Sequence, residues 1–430
     1  MGWQKLYPQK QTSAHDAIKR IQSGDRVVVG HACGSPETLL EALVDNKSAL
    51  KDVEIVHMIP MGTADYCLPE NTPYFRHNSL FAGPATRAAI ASGKADYTPC
   101  FFHEIPSLFR ESLPVDVALV TVSPPDENGN TSLGVSVDYT LQAVLSAKYV
   151  IAEVTPNMPK TFGKSQLHHD LIDLIVHSKR DLPQLLPPSV GDVEKAIGAH
   201  VSTLISDGDC LQLGIGAIPD AVLNFLHDKK DLGIHSEMIS DGVMNLVEAG
   251  VVTGKKKNIH PEKIIITFAM GTRKFYAWLH QNKRVEMHPV DYTNNPLIIG
   301  QNNNMVSINS AISVDLLGQV AADTLGPRQF SGVGGQVDFV RGCRFSTGGK
   351  SVIALPATAT KGTTSRIVCT LERGQAVTTS RNDVDFVVTE HGIARLRGKT
   401  VTERAKRLIE IADPKFRDNL RKDFNELYLI

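Results

Sequence analysis

The sequence predicts an α/β protein with two similar open domains related by an internal repeat. Three observations support this fold class. Continuous apolar runs of strand length alternate with helical patterns, as in folds built on buried parallel strands. A segment that begins near residue 21 recurs near residue 205. The chain has 430 residues, a length that suggests two or three domains, each able to bury its own core.

The predicted elements follow from the spacing of apolar residues. Continuous apolar runs are typical of buried parallel strands, and an apolar period of three to four residues is typical of helices. The runs predict strands over residues 53–58, 115–122, 149–154, 263–268, 351–355 and 385–389. The helical patterns predict helices over residues 138–146, 193–204, 238–249 and 403–412.

The repeat comprises a Gly-Asp turn, an apolar strand, a Gly-rich loop and a helix with proline near its first position. Gly24 and Gly30 recur as Gly208 and Gly214, a shift of 184 residues in both cases. Similarity over so short a segment also arises by chance. The alternative is that both halves of the chain share one α/β architecture.

A shared architecture places a domain boundary near residues 185–191. Pro183, Pro187 and Pro188 lie in this region, and clustered prolines suit a linker between domains. The sequence therefore predicts an N-terminal domain over residues 1–187 and a C-terminal domain over residues 188–430.

Composition excludes several classes of function. Lys and Arg total 45 against 46 Asp and Glu, whereas nucleic-acid binding needs a basic surface. No apolar run approaches the roughly 20 residues of a membrane span, and the N-terminal segment has no apolar signal core. The six cysteines lie far apart, as in a reduced cytosolic protein rather than a disulfide framework. We therefore expect a cytoplasmic enzyme that binds neither nucleic acid nor a membrane.

The first candidate ligand-binding loop follows an apolar strand. It consists of Gly214, Ile215, Gly216, Ala217, Ile218 and Pro219. Glycines let a backbone approach a ligand, and a helix start favours anions. The segment is therefore either a structural turn or a loop that binds an anion or an oxyanion. Pro219 stands where the fingerprint of a dinucleotide-binding domain needs glycine, which argues against a domain of that class.

A second Gly-rich loop contains Gly332, Gly334 and Gly335. Three glycines in four positions indicate either a close approach of the backbone to a ligand or a mobile turn.

Glu237 precedes an apolar helical pattern, in the sequence His235-Ser-Glu237. One interpretation is structural: Ser236 or Glu237 caps that helix and complements its dipole. The other is functional, because a carboxylate that faces a cleft can act as a base or a nucleophile. The local sequence leaves both open.

Metal binding finds little support in the sequence. His168, His169 and Asp170 are candidate ligands, but we expect adjacent histidines to point to different faces, and no partner motif supports them. We therefore predict no metal site. The absence of a Gly-x-Ser-x-Gly elbow and of a Walker loop also argues against a hydrolase triad and a nucleoside triphosphatase.

A series of motifs runs in order along nearly the whole chain. They are Phe81-Ala-Gly-Pro84 with Arg87, Val122-Ser-Pro-Pro-Asp-Glu-Asn-Gly129, Glu153-Val-Thr-Pro-Asn-Met-Pro159, residues 214–219, His235-Ser-Glu237, Asn309-Ser310, residues 332–339, Leu355-Pro-Ala357 and Thr389-Glu-His-Gly392. Together they resemble the acetyl-CoA hydrolase/transferase family of class I CoA-transferases. Within that family, the length and the N-terminal segment look most like 4-hydroxybutyrate CoA-transferases, with butyryl-CoA:acetate transferases next.

The resemblance implies two similar open α/β domains, with the catalytic glutamate and the CoA-binding loops in the C-terminal one. Glu237 stands at the position of the family's nucleophile, which forms a covalent glutamyl-CoA thioester. Residues 214–219 and 332–336 would hold CoA and stabilise oxyanions through backbone N–H groups. This assignment includes Gln336, and Asn309 and Lys361 are further candidate CoA contacts.

The resemblance also implies the reaction. A short-chain acyl-CoA, 4-hydroxybutyryl- or butyryl-CoA, would exchange CoA with acetate by a ping-pong mechanism, without a metal. The family suggests a homodimer or a higher homo-oligomer. Two alternatives stay open: acyl-CoA hydrolysis through the same intermediate, and acyl-CoA binding without catalysis.

Four residues of the N-terminal domain are candidates for the acyl pocket. The resemblance implies that His31, Cys33 and Gly34 face the acyl group from that domain. A pocket for 4-hydroxybutyrate should offer a polar partner to the terminal hydroxyl, because a buried hydroxyl without a hydrogen bond costs about 1–3 kcal/mol of free energy. His31 or His57, each near the end of a predicted strand, could be that partner or could be a structural histidine.

Overall fold

A computed structural model describes residues 7–428. The chain forms two compact units. The first takes in the chain up to Leu186 together with Ile265–Thr293, and the second takes in Pro187–Ile264 and the chain from Asn294 onward.

The helices of the described chain have 4 to 12 residues. They are α1 Ala14–Ile18, α2 Glu37–Asp45, α3 Arg87–Ala91, α4 Ile105–Glu111, α5 Thr140–Ser146, α6 Asp192–Ser202, α7 Ala217–Asn224, α8 Asp241–Glu248, α9 Arg273–Leu279, α10 Val290–Thr293, α11 Pro296–Ile299, α12 Gln336–Phe345, α13 Val401–Ile411 and α14 Arg417–Tyr428.

The first unit is built on an eight-stranded parallel sheet. Its strands are β1 Gln11–Thr12, β2 Arg26–Val29, β3 Val53–His57, β4 Phe75–Ser79, β5 Ala95–Tyr97, β6 Val117–Val122, β7 Tyr149–Val154 and β8 Leu174–His177. Their order across the sheet is β1-β8-β7-β6-β2-β3-β4-β5, and every neighbouring pair is parallel. The central strand β6 is buried at all its positions, which explains why its sequence is apolar except for Thr121.

The second unit is built on a six-stranded sheet. Its strands are β9 Cys210–Leu213, β10 Gly233–Ile234, β11 Met305–Ser310, β12 Lys350–Ala354, β13 Phe386–Thr389 and β14 Gly392–Arg395. The order is β10-β9-β11-β12-β13-β14, and only the hairpin of β13 and β14 is antiparallel among these pairs. The carboxyl ends of the parallel strands therefore meet at one edge, where ligands bind in open α/β sheets.

Shorter strands lie outside these two sheets. They are Asn130–Ser132, Phe162–Gly163, Gln166–His168, Met238–Ile239, Ile264–Ile266, Phe268–Ala269, Val285–Met287, Ser313–Asp315, Val320–Ala321, Thr324–Leu325, Arg328–Gln329, Thr358–Ala359, Thr364–Ser365 and Ile367–Val368.

The predicted α/β class, with two similar open domains, is confirmed, and the repeat is visible in both sheets. Gly24 and Gly208 precede the matching strands β2 and β9 with φ of +84° and +81°, a left-handed conformation that favours glycine. Each strand then leads into a loop and a helix, α2 or α7. Pro36 is the N-cap of α2, whereas Pro219 lies within the first turn of α7, so the second helix begins earlier than its counterpart.

The compact units differ from a single division of the chain at residues 187 and 188. Residues 265–293, which we placed in the C-terminal domain, belong to the first unit. Their backbone explains the difference, because Val137 donates to the carbonyl of Thr267 at 3.1 Å and Ala269 donates to that of Val135 at 2.8 Å. Such long-range hydrogen bonds leave no local trace in the sequence.

Candidate active site

Glu237 lies between β10 and α8 and is half-buried. The predicted helix over residues 238–249 is wrong at its start, because α8 begins at Asp241 with Ser240 as its N-cap. The Ser236 hydroxyl instead donates to the carbonyl of Met238 at 2.7 Å. The interpretation in which Ser236 or Glu237 caps this helix is therefore wrong, and the Glu237 carboxylate serves no such purpose.

The Glu237 carboxylate lies against the backbone of Gly335. A Cβ atom built on Gly335 would be 1.9 Å from Glu237 Oε2, so only glycine leaves room for the carboxylate. Gly335 is also the N-cap of α12, and the positive end of a helix favours a negatively charged group. Two residues that the sequence singled out separately thus meet in one place.

Asn294 completes this cluster and was missed in the sequence. Its side-chain Nδ2 donates to Glu237 Oε2 at 2.9 Å and lies 3.5 Å from Asp338 Oδ2. Asn294 is fully buried and immediately precedes Asn295, the N-cap of α11. The Asn-Asn-Pro sequence indicates a helix start, and it gave no sign of a contact with a glutamate 57 positions away.

The first Gly-rich loop lies beside this cluster, at the carboxyl end of β9. The backbone N–H of Leu213 donates to the Ser236 hydroxyl oxygen at 3.4 Å, which connects the end of β9 to the segment that carries Glu237. A Cβ atom built on Gly214 or Gly216 would meet no protein atom within 4 Å. The space around this backbone is open, so internal packing does not account for a glycine at Gly214.

The six predicted residues of this loop are not equivalent in the structure. Gly214 and Gly216 border open space, and Ile215 is 43% exposed. Ala217 begins α7, whereas Ile218 and Pro219 are buried in its first turn. The exposed part of the segment is therefore residues 214–216 followed by the N-terminus of α7, a helix of 8 residues.

Asn309 lies at the same edge, near the end of β11. Its amide exchanges two hydrogen bonds with that of Gln212, at 3.1 and 3.3 Å. Gln336 uses its side chain within the protein, since Nε2 donates to the carbonyl of Ser310 at 2.7 Å and Oε1 accepts from Thr379 at 3.0 Å. The Gln336 amide therefore fixes the start of α12 relative to the end of β11, and the amides of Gln212 and Asn309 join β9 to β11.

The remaining candidates of the second unit lie on two turns. Gly334 has a φ of +54°, which favours glycine, and Gly332 is buried. Lys361 is exposed and has a left-handed φ of +53°, a conformation that costs a non-glycine residue about 1 kcal/mol or more.

Four candidate acyl-pocket residues lie inside the first unit, at or after the ends of β2 and β3. His31 is fully buried, and its Nδ1 is 3.1 Å from Asp138 Oδ2. Gly34 requires glycine, because a Cβ atom there would be 2.7 Å from the Cβ of Ser136. Burial raises the pKa of the Cys33 thiol to about 11, so this thiol is neutral near pH 7.

His57 is also fully buried. Its Nδ1 is 2.8 Å from the Tyr66 hydroxyl, and burial lowers its pKa well below the usual value. The Nε2 atoms of both His31 and His57 are buried and make no hydrogen bond within the protein.

The expectation that His168 and His169 point to different faces is wrong. Their ring centroids are 4.5 Å apart, and the Nδ1 atoms lie 3.1 and 3.4 Å from the two carboxylate oxygens of Asp170. The turn that begins at His169 brings the rings to one side.

Comparison with known proteins decides the family. The N-terminal domain of the acetyl-CoA hydrolase/transferase family matches residues 1–185, and its C-terminal domain matches residues 271–424. The chain belongs to the acetyl-CoA hydrolase/transferase family. Membership confirms the family and the enzyme class, CoA-transferase, that the motifs predicted.

Among the residues that the structure describes, no helix has both the length and the apolar character needed to span a membrane.

Curated relatives of this family cover nearly the whole chain. The chain is 57% identical to a 4-hydroxybutyrate coenzyme A transferase of Clostridium kluyveri, over 100% of both chains. It is 44% identical to a succinyl-CoA:cyclohexane-1-carboxylate CoA transferase of Geobacter metallireducens, over 97% of this chain and 96% of the relative. A butyryl-CoA:acetate CoA-transferase of Anaerostipes caccae is 36% identical over 98% and 97%.

The chain is also similar in structure to a protein with a related name. Compared with the crystal structure of a 4-hydroxybutyrate CoA-transferase from Porphyromonas gingivalis, it has a TM-score of 0.85 and a sequence identity of 41%, over 99% of both chains.

Proposed function

We propose that this member of the acetyl-CoA hydrolase/transferase family transfers CoA between a short-chain acyl-CoA and acetate through a covalent thioester on Glu237. The acyl group is 4-hydroxybutyryl or butyryl. The observation that carries the proposal is the Glu237 carboxylate, half-buried beside Gly335 at the start of α12 and held by Asn294. The names of the relatives in Clostridium kluyveri and Anaerostipes caccae support the two acyl groups and acetate.

The reaction follows from the chemistry of a carboxylate. Glu237 Oε1 attacks the acyl-CoA carbonyl and expels the CoA thiolate, which leaves an acyl–glutamyl anhydride. The thiolate then attacks the glutamyl Cδ, and the Cδ–Oε1 bond breaks, so the first acid departs with that oxygen. Acetate runs the same steps in reverse and restores the carboxylate with one of its own oxygens. Thioester energy is conserved throughout, so neither ATP nor a metal takes part.

The two Gly-rich loops would bind CoA and stabilise the oxyanions. Support comes from the open space around Gly214 and Gly216 and from the N-termini of α7 and α12, because helix N-termini direct backbone N–H groups at anions. Asn309, Gln336 and Lys361 are proposed as further contacts with CoA.

The remaining assignments are proposals of the same kind. The two halves of the chain would act as N- and C-terminal CoA-transferase domains, with Glu237 and the loops in the C-terminal one. We propose that the enzyme works in the cytoplasm as a homodimer or a higher homo-oligomer, with CoA as a substrate and no metal.

Kinetics of Glu237 variants test the proposal. Glu237→Ala should abolish transfer from butyryl-CoA to acetate, and Glu237→Asp should lose most of it, because a side chain shorter by about one methylene spoils the attack geometry. A matched control is Glu248→Asp at the exposed end of α8, which should keep full activity. Full activity in Glu237→Ala would overturn the proposal.

Hydrolysis is a second candidate, because the family's own description names both hydrolases and transferases. The two functions differ in whether water reaches the anhydride and the thioester before an acid does. If the enzyme is a transferase, continued consumption of acyl-CoA should depend on added acetate and should yield acetyl-CoA rather than free CoA. Equal rates of acyl-CoA consumption with and without acetate, with free CoA as the product, would establish a hydrolase.

The acyl preference rests on the buried histidines of the first unit. The unused Nε2 atoms of His31 and His57 support a hydrogen bond to the terminal hydroxyl of 4-hydroxybutyrate. His31→Leu or His57→Leu should then lower kcat/KM for 4-hydroxybutyrate about tenfold and spare butyrate. Equal kcat/KM values for the two acids in the wild-type enzyme would remove the case for a hydroxyl-specific pocket.

A further inference from the structure

A second half-buried carboxylate, that of Glu37, lies against a glycine backbone in the first unit. Glu37 is the first residue of α2, in the segment that follows β2. A Cβ atom built on Gly62 would be 2.2 Å from Glu37 Oε2, so the loop after β3 leaves room for this carboxylate only because residue 62 is glycine. The two segments are joined by a hydrogen bond from the backbone N–H of Ala32 to the carbonyl of Ile59, at 3.1 Å.

No cation of the described chain pairs with this carboxylate. Glu37 Oε1 is buried and has no hydrogen-bond partner there. Arg180, the cation whose charge acts on Glu37, is held by Glu41 at N–O distances of 2.8 and 2.9 Å. Burial raises the pKa of the Glu37 carboxyl, and the Ser35 hydroxyl and Arg180 offset that shift only in part. A buried carboxylate without a partner is costly to the fold, so its presence indicates a function.

The start of α2 does not need Glu37 as a cap. The Glu153 carboxylate accepts hydrogen bonds from N and Oγ1 of Thr38 at 2.9 and 2.7 Å, so an acid from β7 already binds a free N–H of this helix. Besides burial, the charges of Glu153 and Glu41 also raise the pKa of Glu37. Three carboxylates and one arginine therefore share this region, which gives it a negative net charge.

This region adjoins the residues proposed for the acyl pocket. The candidates among residues 31–34 precede Glu37 in the same segment. Burial raises the pKa of Tyr66, and the charges of Cys67 and Glu37 add to the shift. The Tyr66 hydroxyl is 2.8 Å from His57 Nδ1, so the charge of Glu37 also reaches the pair that contains His57. The strand order reverses between β2 and β6, and open α/β sheets bind ligands where this happens.

We infer that Glu37 determines the acyl specificity, because its unpaired carboxylate excludes acyl groups that carry a second carboxylate at the far end of the chain. The inference rests on the proposed function and on the acyl pocket proposed in the first unit. It goes beyond them by naming the class of acid that the enzyme rejects. Like charges repel strongly in a partly buried site, where the effective dielectric constant is low, and such repulsion is a common source of specificity.

Two four-carbon acids test this role. Butyrate and succinate have the same chain length and differ only in the far end, a methyl group or a carboxylate. Each is offered as the acceptor of CoA from acetyl-CoA at pH 8, and kcat/KM is measured. Glu37→Gln preserves the shape and removes the charge, so the ratio of kcat/KM for succinate to that for butyrate should rise by about tenfold or more.

Asp45→Asn is the matched control, because it removes a charge from the other end of the same helix. Asp45 is exposed and is the last residue of α2. The ratio in this variant should stay within about twofold of wild type. Since both acids are measured on one sample, the ratio does not depend on the fraction of a variant that is folded.

A substrate change in the wild-type enzyme provides a second test. Monomethyl succinate has the chain of succinate but lacks its second charge, although it is larger. Its kcat/KM in the wild type should exceed that of succinate by about tenfold or more, and this advantage should shrink in Glu37→Gln.

The outcomes are distinct from those for the proposed function. A ratio of succinate to butyrate in Glu37→Gln within about twofold of wild type, or a wild type that prefers succinate to its monomethyl ester, overturns the role of Glu37. If Glu37→Gln does not fold, the same ratio in Glu37→Ala decides. Activity that survives in Glu237→Ala would instead overturn the proposed function itself.

Discussion

Gly335→Ala should reduce turnover without unfolding the protein. The added Cβ would lie 1.9 Å from Glu237 Oε2, 2.3 Å from Asn294 Nδ2 and 3.0 Å from Glu237 Cδ. To restore even 3.0 Å, the limit below which real Cβ contacts are essentially not found, Oε2 must move by about 1.1 Å. The displaced atoms are the ends of side chains and Gly335 has a φ of −92°, so the backbone need not change.

The magnitude follows from the displacement. A shift of about 1 Å in a reacting group costs about 100-fold in rate, equivalent to about 2.7 kcal/mol of transition-state stabilisation. We therefore expect kcat to fall about 100-fold for transfer of CoA from butyryl-CoA to acetate. Unfolding in urea, followed by circular dichroism, should show that the variant still folds, with a free energy of unfolding lowered by about 1–3 kcal/mol, as in other overpacked sites.

Gly191→Ala is the matched control. Its added Cβ would lie 2.7 Å from Glu194 Oε2, on an exposed helix start, so it also displaces a carboxylate, but one with no proposed role in the reaction. This variant should keep the wild-type kcat. If Gly335→Ala retains more than half of kcat, or if Gly191→Ala loses as much, the position of the Glu237 carboxylate does not control turnover.

Three further predictions concern other parts of the chain. Gly214→Ala adds a Cβ with no protein atom within 4 Å, so the free energy of unfolding should not change. KM for acyl-CoA should rise several-fold if CoA approaches this backbone. An unchanged KM would argue against CoA binding by this loop. Glu153 is 3% exposed and accepts hydrogen bonds from Thr38 N and Oγ1 at 2.9 and 2.7 Å. Glu153→Gln should therefore lower the free energy of unfolding, measured in urea, by about 2 kcal/mol. Burial lowers the pKa of His77 to about 4. The unfolded chain therefore binds a proton below about pH 6.5 that the folded chain does not bind, and stability should fall by about 3 kcal/mol as the pH drops from about 6.5 to about 4. His77→Gln should reduce that slope, and a slope as steep as that of wild type would contradict the assignment.

Strands with an apolar sequence could be predicted closely, and strands with polar residues could not. The run over residues 149–154 coincides with β7, because most of its residues are apolar and the strand lies inside a parallel sheet. β4 was missed because Phe75 is its only apolar residue and polar side chains, among them His77 and Asn78, make up the rest. These side chains are buried in hydrogen bonds, His77 Nδ1 with the carbonyl of Ile55 at 3.0 Å and Asn78 with Glu54 at 2.9 Å, which local patterns do not show.

The candidate site was predictable only in part. Glu237 and the glycines 332, 334 and 335 stood out as motifs, and in the structure Glu237 and Gly335 adjoin. The helix that follows Gly335 was not predicted, because a Gly-rich segment gives no helical start signal, yet Phe339 and Val340 are buried and stabilise α12. Asn294 could not be found, since its hydrogen bond to Glu237 joins segments 57 positions apart and depends on nothing in its neighbouring sequence.

The most direct test is to trap the covalent intermediate. The wild-type enzyme is incubated with butyryl-CoA in the absence of acetate, reduced with borohydride, digested and analysed by mass spectrometry. We expect a primary alcohol in place of the carboxyl group at Glu237 and at no other glutamate, and no such product when the enzyme is preincubated without butyryl-CoA. Reduction at a different residue, or an unmodified Glu237 in an enzyme that still transfers CoA to acetate, would contradict covalent catalysis by Glu237.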